Sequence, residues 1–258
     1  MIYETIRFDA RDGVATLTLD RPDVRNALNT QMRAEITHAV REAPKLARVL
    51  VITGGGSTFC SGQDLGDGVN AASADLERTL RDEYEPMMHA IHDCPIPTIA
   101  AVNGAAAGAG ASLALAADVV IATESAVFVQ AFTRIGLIPD AGGTYFLPRQ
   151  IGIARAMGAT LFGDEISADK AARWGMIYES VEDDAFAAHI AARARHLANG
   201  PTIAYRHLKD AMHASYDNTL KQQMTLEAKL QNACGQTRDF KEGVVAFLEK
   251  RPAKYEGR

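Results

Sequence analysis

The sequence has few cysteines, no long apolar run and no excess of positive charge. Its three cysteines, Cys60, Cys94 and Cys234, are odd in number and far apart, which argues against a disulfide framework or a zinc knuckle and is typical of a reducing compartment. No apolar segment approaches the length of a membrane span, and residues 1–20 alternate like strands rather than forming a signal-peptide core. The formal charge of −5 argues against a general nucleic-acid or membrane-surface binder. We therefore expect a cytoplasmic protein that binds neither membrane nor nucleic acid.

Several common catalytic motifs are also absent. The glycine-rich stretch does not spell G-x-G-x-x-G and contains no P-loop lysine, so nucleotide-phosphate chemistry is not indicated. His89 and His92 have the i, i+3 spacing of a metal pair, but no carboxylate or cysteine joins them at ligand spacing, which favours a solvated or capping role. Ser61 and Ser112 lack the pattern of a nucleophile elbow. We expect no metal and no bound cofactor.

Strand and helix patterns alternate over the first part of the chain. With 258 residues and 47% hydrophobic content, the chain can bury a substantial core. The predicted strands are Ile2–Phe8 and Val14–Leu19 as a hairpin, Arg48–Thr53 and Thr98–Val102; the predicted helices are about thirteen residues from Thr30, and Leu76–His92 after a mobile polar loop at Asn70–Asp75. This order predicts an α/β fold with parallel pairing and right-handed crossovers.

The last third of the sequence reads differently, because helical spacing dominates after Gly152. Only Met176–Val181 is strand-like there. The predicted helices are Ala154–Phe162, Ala168–Trp174, Asp184–Ala198, Ile203–Ala214, Thr219–Ala233 and Arg238–Leu248. Apolar stripes at Met224–Leu230 and Val244–Leu248 come after the α/β pattern is complete, which indicates that they need a partner surface.

The most informative stretch lies in the middle of the chain. The short apolar strand Thr98–Val102 ends at the turn-forming pair Asn103-Gly104, and Ala105–Gly110 then has almost no side chains. Ser112–Ala117 has the composition of a buried helix. A strand that runs through small residues into a helix lets a ligand approach the backbone and directs free N–H groups at it. Negative charge is favoured at such a place, so the sequence predicts an anion hole.

A carboxylate follows about twenty residues after this predicted helix, and we interpret it as the acid–base group that faces the anion hole. Asp140 comes directly after Pro139 in a turn, just before Gly142-Gly143 reopens a helix. A structural role is the alternative, because aspartate is also a preferred N-cap residue.

Several short motifs follow one another along nearly the whole chain: Arg25–Asn29, Phe59-x-x-Gly62-x-Asp64-Leu65, Ala101–Gly104, Gly108–Gly110, Ile135–Pro139, Gly142–Thr144 and Ala246–Arg251. In this order and spacing they resemble the crotonase family, the enoyl-CoA hydratase/isomerase superfamily. The resemblance implies a spiral of β-β-α units over residues 1–200 and a helical trimerisation region over residues 201–258. It also implies assembly as a homotrimer or a dimer of trimers.

The same resemblance implies an acyl-CoA substrate whose enolate oxygen accepts hydrogen bonds from two backbone N–H groups. By position in the motifs, these catalytic donors are Gln63 and Ala109. Tight helix packing is the alternative explanation for the glycines around Ala109. The implied substrate-binding residues are Arg25, Ala27, Leu28, Ser61, Gln63, Asp64, Leu65, Ala109 and Phe132, with Arg25 near the CoA phosphates and with Phe247 and Lys250 supplied to a neighbour's site.

Hydratases of the family use two glutamates, and this sequence has Ser112 and Phe132 at those two places. Neither side chain can exchange a proton as water addition requires. Asp140, in contrast, occupies the turn in which several isomerases of the family have an aspartate. A single carboxylate can take a proton from one carbon and return it to another, so the resemblance implies an isomerase. Phe132 then suits an apolar acyl pocket, with plain core packing as the alternative.

Further motifs resemble one branch of the family, the isomerases that convert ring-1,2-epoxyphenylacetyl-CoA to oxepin-CoA in phenylacetate catabolism. These motifs are Gln130-Ala131-Phe132, Leu147-Pro148-Arg149, Asn218-Thr219-Leu220 and Glu242-Gly243-Val244. A Δ3,Δ2-enoyl-CoA or dienoyl-CoA isomerase of fatty-acid breakdown is the second hypothesis. Weaker alternatives are a low-activity hydratase and a protein that binds CoA thioesters or RNA with little turnover.

Overall fold

The computed structural model describes residues 2–66 and 75–258, and ten strands within them form two sheets. The larger sheet has six strands in the order β1-β2-β3-β5-β7-β10. Its β1–β2 pair is antiparallel and its other pairs are parallel. These strands are β1 Ile6–Arg11, β2 Val14–Leu19, β3 Val49–Gly54, β5 Thr98–Val102, β7 Val119–Thr123 and β10 Glu179–Val181.

The smaller sheet has four short strands in the order β4-β6-β8-β9. They are β4 Thr58–Cys60, β6 Ala105–Ala107, β8 Val127–Val129 and β9 Glu165–Ser167. Strands β3, β5 and β7 of the large sheet are each followed along the chain by one strand of the small sheet. The chain therefore alternates between the two sheets, and the expected spiral of α/β units is confirmed.

Helices connect the turns of this spiral and form the C-terminal part of the chain. They are α1 Thr30–Leu46, α2 Leu76–Thr79, α3 Glu85–His92, α4 Ala109–Leu115, α5 Gly143–Phe162, α6 Ala168–Trp174, α7 Asp183–Ala198, α8 Thr202–Ala214, α9 Leu220–Gly235 and α10 Arg238–Leu248. A π-helical turn, Leu80–Tyr84, joins α2 to α3. The helix predicted over Leu76–His92 is thus continuous, with a π-helical turn inside it.

The N-terminal hairpin is present, but its first strand begins later than predicted. Glu4 and Thr5 donate their backbone N–H groups to the Glu35 carboxylate at 2.8 and 2.9 Å, so they are not free to start the ladder. The strand instead continues to Arg11, where Asp12 and Gly13 make the turn with φ of 51° and 76°. Positive φ at both central residues is what a two-residue hairpin turn requires.

Other predicted boundaries also need correction. Helix α1 is 17 residues long, because Asn29 caps its first turn and the apolar spacing continues to Ala43. Helix α4 begins at Ala109, three residues before the predicted start, and the small residues in front of it form β6. Helix α5 begins at Gly143 and is broken at Gly152, so the predicted segment Ala154–Phe162 is only its second half. The predicted loop over residues 70–74 lies outside the described residues.

The main apolar core lies between the larger sheet, α1 and α3, and it extends through α4 to the second sheet. A smaller cluster on the other face of the larger sheet is covered by α7. Helices α8 and α9 contain no buried residue, and the predicted division at residue 200 stays a prediction. No helix in the described part of the chain is long and apolar enough to cross a bilayer.

Candidate active site

Two turns meet at the edge where β4 and β6 end. Gly62 follows β4, and a Cβ atom on it would lie 2.8 Å from Ala107 O and 3.3 Å from Ala109 N. Gly62 also has a φ of +93°, so both the space and the backbone conformation require glycine. This close approach brings the backbone of Gln63 next to the first residue of α4, Ala109.

The backbone N–H groups of Gln63 and Ala109 have no acceptor among residues 2–66 and 75–258. Gln63 lies in a parallel bridge with Leu28, in which Leu28 N donates to Gly62 O at 2.7 Å and Asp64 N donates to Leu28 O at 3.1 Å. Those bonds engage the Gly62 carbonyl and the Asp64 N–H, which flank the Gln63 N–H in the sequence. Ala109 begins a helix, where N–H groups lack intrahelical partners, and no side chain caps it. Two backbone donors without an acceptor among the described residues therefore lie on neighbouring turns, which Gly62 brings together.

Asp140 lies in the turn before α5, and its carboxyl group has no cationic partner among the described residues. Its backbone oxygen accepts hydrogen bonds from Ser112 Oγ at 3.0 Å and from Gly143 N at 2.8 Å. Its buried Oδ1 has no partner among the described residues. Burial raises the pKa of this carboxyl from 3.8 to about 6. The N-cap of α5 is Gly142, with no side-chain cap, so Asp140 does not cap that helix.

A cavity of about 620 Å³ opens beside Asp140. Its size is within the usual range for a small-molecule site. Its walls come from the π-helical turn, α3 and the start of α5, and they are mainly apolar and aromatic. The residues on these walls include Leu80, Tyr84, Met88, Ile138, Tyr145 and Phe146.

Ser112 and Phe132, at the positions of the two hydratase glutamates, are both buried. Ser112 is held by its hydrogen bond to the Asp140 backbone. The Phe132 ring lies 3.8 Å from where a Cβ on Gly108 would be, so it packs against the turn that carries Ala109. Phe132 is not one of the described residues that line the cavity beside Asp140.

The segment Arg25–Leu28 and the residues after β4 lie side by side. Ser61 N donates to Arg25 O at 3.0 Å, and the Arg25 side chain is exposed. Ala27 and Leu28 are both buried, and Ala27 O already accepts a hydrogen bond from Arg21 Nη1 at 2.6 Å. Asp64 is not a free charge, because Arg21 Nη1 lies 2.7 Å from its carboxylate. Leu65 is exposed.

Phe247 and Lys250 lie away from the Asp140 cavity in this chain. Phe247 is 82% exposed at the end of α10. It lines a separate groove of about 970 Å³ between α8, α9 and α10. Neither residue is among the described residues around Asp140, so a contribution to a neighbour's site stays a prediction.

Several residues of the site were not found from the sequence. Tyr84 lines the cavity, and Arg33 contacts the side chain of Gln63. The one available signal was that Arg33 interrupts the apolar face of α1 next to Met32, since a charged residue there needs a buried partner.

The i, i+3 histidine pair is not arranged as a metal site in the part of the chain that the structure describes. His92 contacts Asp93, and its ring stacks on that of His213 with 4.1 Å between the ring centroids. The described residues contain no group of three or more side chains that could hold a metal ion.

The fold is shared with solved acyl-CoA enzymes. The crystal structure of an enoyl-CoA hydratase from Bacillus anthracis matches with a TM-score of 0.91 at 32% identity, over 99% of this chain and 100% of that one. The described architecture is thus that of the crotonase-like α/β enzymes. More particularly, the chain belongs to the enoyl-CoA hydratase/isomerase family, whose sequence model matches residues 9–258.

Among the relatives that match over 100% of both chains, two carry the names of different reactions. One is a probable enoyl-CoA hydratase of Rhodobacter capsulatus at 59% identity. The other is the 1,2-epoxyphenylacetyl-CoA isomerase of Escherichia coli at 43% identity. The resemblance found in the motifs is therefore confirmed, and the protein is a hydratase or an isomerase of this family.

Proposed function

We propose that this protein is an acyl-CoA isomerase in which Asp140 moves one proton while the N–H groups of Gln63 and Ala109 hold the enolate oxygen. The observation that carries this proposal is the isolation of Asp140. Its carboxyl group has no cationic partner among the described residues and a pKa of about 6, and it lies beside an apolar cavity. A base with a pKa near the working pH is suited to taking a proton and giving it back.

The proton transfer needs no second acid. The Asp140 carboxylate takes a proton from the carbon next to the thioester, and the C–H electron pair moves onto the carbonyl oxygen. That oxygen becomes negative and accepts hydrogen bonds from the two backbone donors, each typically worth about 3 kcal/mol. Asp140 then returns the proton to the γ-carbon, the electron pair leaves the oxygen, and the double bond has moved by one position.

Ring-1,2-epoxyphenylacetyl-CoA is the substrate that we favour, with oxepin-CoA as the product. Opening of the epoxide-fused ring by valence tautomerism gives an oxepin whose side-chain CH₂ lies between the thioester and a ring double bond. The same proton shift, from this CH₂ to a ring carbon, completes the reaction. Support comes from the name of the Escherichia coli relative and from the aromatic walls formed by Tyr84, Tyr145 and Phe146.

Hydration of an enoyl-CoA is the second candidate, because the Rhodobacter capsulatus relative is named a probable hydratase. Water addition requires one group to activate the water and one to protonate the α-carbon. The buried hydroxyl of Ser112 and the ring of Phe132 offer neither group at the two glutamate positions. We therefore rank this reaction below isomerisation.

The test is a comparison of three thioesters with the purified protein. We expect turnover of ring-1,2-epoxyphenylacetyl-CoA, slower isomerisation of a 3-enoyl-CoA, and hydration of crotonyl-CoA slower than either by on the order of a hundredfold. Efficient hydration of crotonyl-CoA would overturn the assignment. Preference for the 3-enoyl-CoA would favour a Δ3,Δ2-isomerase, with the proton transfer by Asp140 unchanged.

The binding of CoA completes this proposal. We place the CoA phosphates near the exposed Arg25, since an anionic ligand of an acidic protein needs a local cation. The pantetheine chain would run along the backbone of Ala27 and of Ser61–Leu65. Phe247 and Lys250 would reach this site from a neighbouring subunit.

A further inference from the structure

The side chain of Gln63 is held by residues from two other elements. Its Oε1 accepts hydrogen bonds from the Tyr84 hydroxyl at 2.5 Å and from Arg33 Nη1 at 3.0 Å. Its Nε2 donates to Asp64 O at 3.2 Å. The residue that supplies one free N–H to the anion hole is therefore fixed through its side chain as well as its backbone.

The donors that hold Gln63 are themselves fixed. Arg33 is nearly fully buried and also donates to Leu28 O at 2.6 Å, so one guanidinium contacts both members of the Leu28–Gln63 bridge. Its charge is balanced by Glu83, whose carboxylate lies 2.5 Å away. Burial acts to raise the pKa of Glu83, but the hydrogen bond and charge of Arg33 outweigh it and lower that pKa. Glu83 therefore stays ionised next to Arg33.

Tyr84 belongs both to this cluster and to the wall of the cavity beside Asp140. It ends the π-helical turn, which is closed by the hydrogen bond from Glu85 N to Leu80 O. Single π-turns inside helices occur frequently at functional sites. Burial raises the pKa of the Tyr84 hydroxyl, so it stays protonated and acts as a donor.

We propose that Tyr84 is a positioning residue, which orients the Gln63 N–H in the oxyanion hole through the side-chain carbonyl of Gln63. The inference rests on the function proposed above. The ring of Tyr84 lines the cavity beside Asp140, and its hydroxyl holds the side chain of Gln63. An acyl group in this cavity that displaces the ring therefore also changes the direction of the Gln63 N–H. Hydrogen bonds weaken steeply as their angle departs from linear, so the hole favours acyl groups that leave Tyr84 in place.

The test is a double-mutant cycle with Tyr84→Phe and Gln63→Ala, which both keep the backbone N–H of residue 63. We expect Tyr84→Phe to lower kcat about tenfold with KM within about twofold, as for the loss of one orienting hydrogen bond. In the Gln63→Ala background, the same change should have no further effect. Tyr178→Phe removes a hydroxyl from an exposed ring and is the matched control.

An equal loss from Tyr84→Phe in both backgrounds would overturn the proposal, because the hydroxyl would then act without Gln63. A loss of kcat that follows a lower melting temperature would overturn it as well, in favour of a structural role. Acetoacetyl-CoA, which absorbs differently when bound as its enolate, separates this inference from the function. If the parent protein binds no enolate, the proposed function fails; if it does and Tyr84→Phe binds the same enolate fraction, only the role of Tyr84 fails.

Discussion

Asp140 differs from the other carboxylates around the site because it has no cationic partner among the described residues. Burial also acts on Asp64 and Glu83, but hydrogen bonds and charges from Arg21 and Arg33 outweigh it and lower their pKa values. For Asp140, burial outweighs the one hydrogen bond from its own backbone, which acts to lower the pKa, and the pKa rises to about 6. Perturbed groups of this kind in clefts are candidates for proton transfer.

Replacing Asp140 by asparagine should remove proton transfer and little else. We expect isomerase turnover to fall by on the order of a hundredfold or more, because the amide cannot accept the proton. The variant should keep the same fold, since the side chain caps no helix. Binding of a substrate-like acyl-CoA should persist, because the proposed oxyanion donors belong to the backbone. Steady-state kinetics and calorimetry measure these quantities, and turnover within a few-fold of the parent would remove Asp140 from the mechanism.

The raised pKa of Asp140 predicts opposite pH trends for activity and for stability. Activity needs the ionised carboxylate, so kcat/KM should rise as the pH increases through about 6. The unfolded chain releases this proton near the ordinary value of 3.8, whereas the folded protein keeps it up to about 6. The free energy of unfolding should therefore decrease as the pH rises through this window, and the decrease is complete above it.

Melting curves of the parent and the Asp140→Asn variant between pH 4.5 and 8 test this stability trend. The variant should be the more stable protein at about pH 8, and its advantage should shrink towards about pH 4.5, where the parent carboxyl is protonated. Curves that stay parallel over this range would show that the carboxyl is not buried in solution.

At the scale of single elements, the packing of α4 against β4 fixes the two turns that carry the proposed anion-hole donors. A methyl group on Gly110 would come within 2.4 Å of Cys60 O and 2.8 Å of Cys60 Sγ. Strand β4 leads directly into the turn that carries Gln63, so separating the two elements should also separate the two N–H donors. The packing therefore leaves no room for a side chain at residue 110.

Gly110→Ala should therefore lower both the melting temperature, by about 5 °C or more, and kcat. Gly158→Ala in α5 is the matched control, because no described atom outside its own helix lies within 4 Å of the new Cβ. Alanine in that helix should be neutral or stabilise the protein by up to about 1 kcal/mol. Thermal melts of both variants measure this difference, and an equal change in melting temperature would contradict the close packing of α4.

Elements with clear periodicity could be predicted from the sequence, and short ones could not. Strand β5 and helices α6 and α10 begin and end where the sequence predicts. The strands of the smaller sheet were missed because each has three residues, too few to show alternation. Strand β6 consists of three alanines, which pair with β4 and β8 because of the surrounding fold and not because of strand propensity.

The residues of the candidate site also divide into those that could be predicted from the sequence and those that could not. Asp140 and the small residues before α4 could be identified from the sequence, because they follow and precede clear strand and helix patterns, and the family resemblance implied their roles. The cluster around Gln63 could not, since Tyr84 and Arg33 are 21 and 30 residues from it along the chain. Only the packing of α1 and the π-helical turn brings these side chains together.

At the scale of the whole molecule, the C-terminal helices leave apolar surface uncovered. Met224, Val244, Phe247 and Leu248 are large apolar residues with exposed side chains, and α9 has no buried residue. The groove of about 970 Å³ between α8, α9 and α10 is mainly apolar. Contiguous apolar surface of this extent marks an interaction site.

A second and a third copy of the chain are the occupants that we expect on this surface. Light scattering at micromolar concentration should give three or six times the chain mass of 27.7 kDa, because the exposed apolar side chains gain from burial at about 25 cal/mol per Å². Met224→Glu should shift the protein towards smaller species, since it puts a charge into that surface. Asn232→Glu adds the same charge at a polar position of α9 and is the control. A monomeric parent would contradict the assembly.

The role of Phe247 in a neighbour's site is tested by Phe247→Ala. A variant that stays trimeric yet binds CoA thioesters as well as the parent would exclude Phe247 from that site.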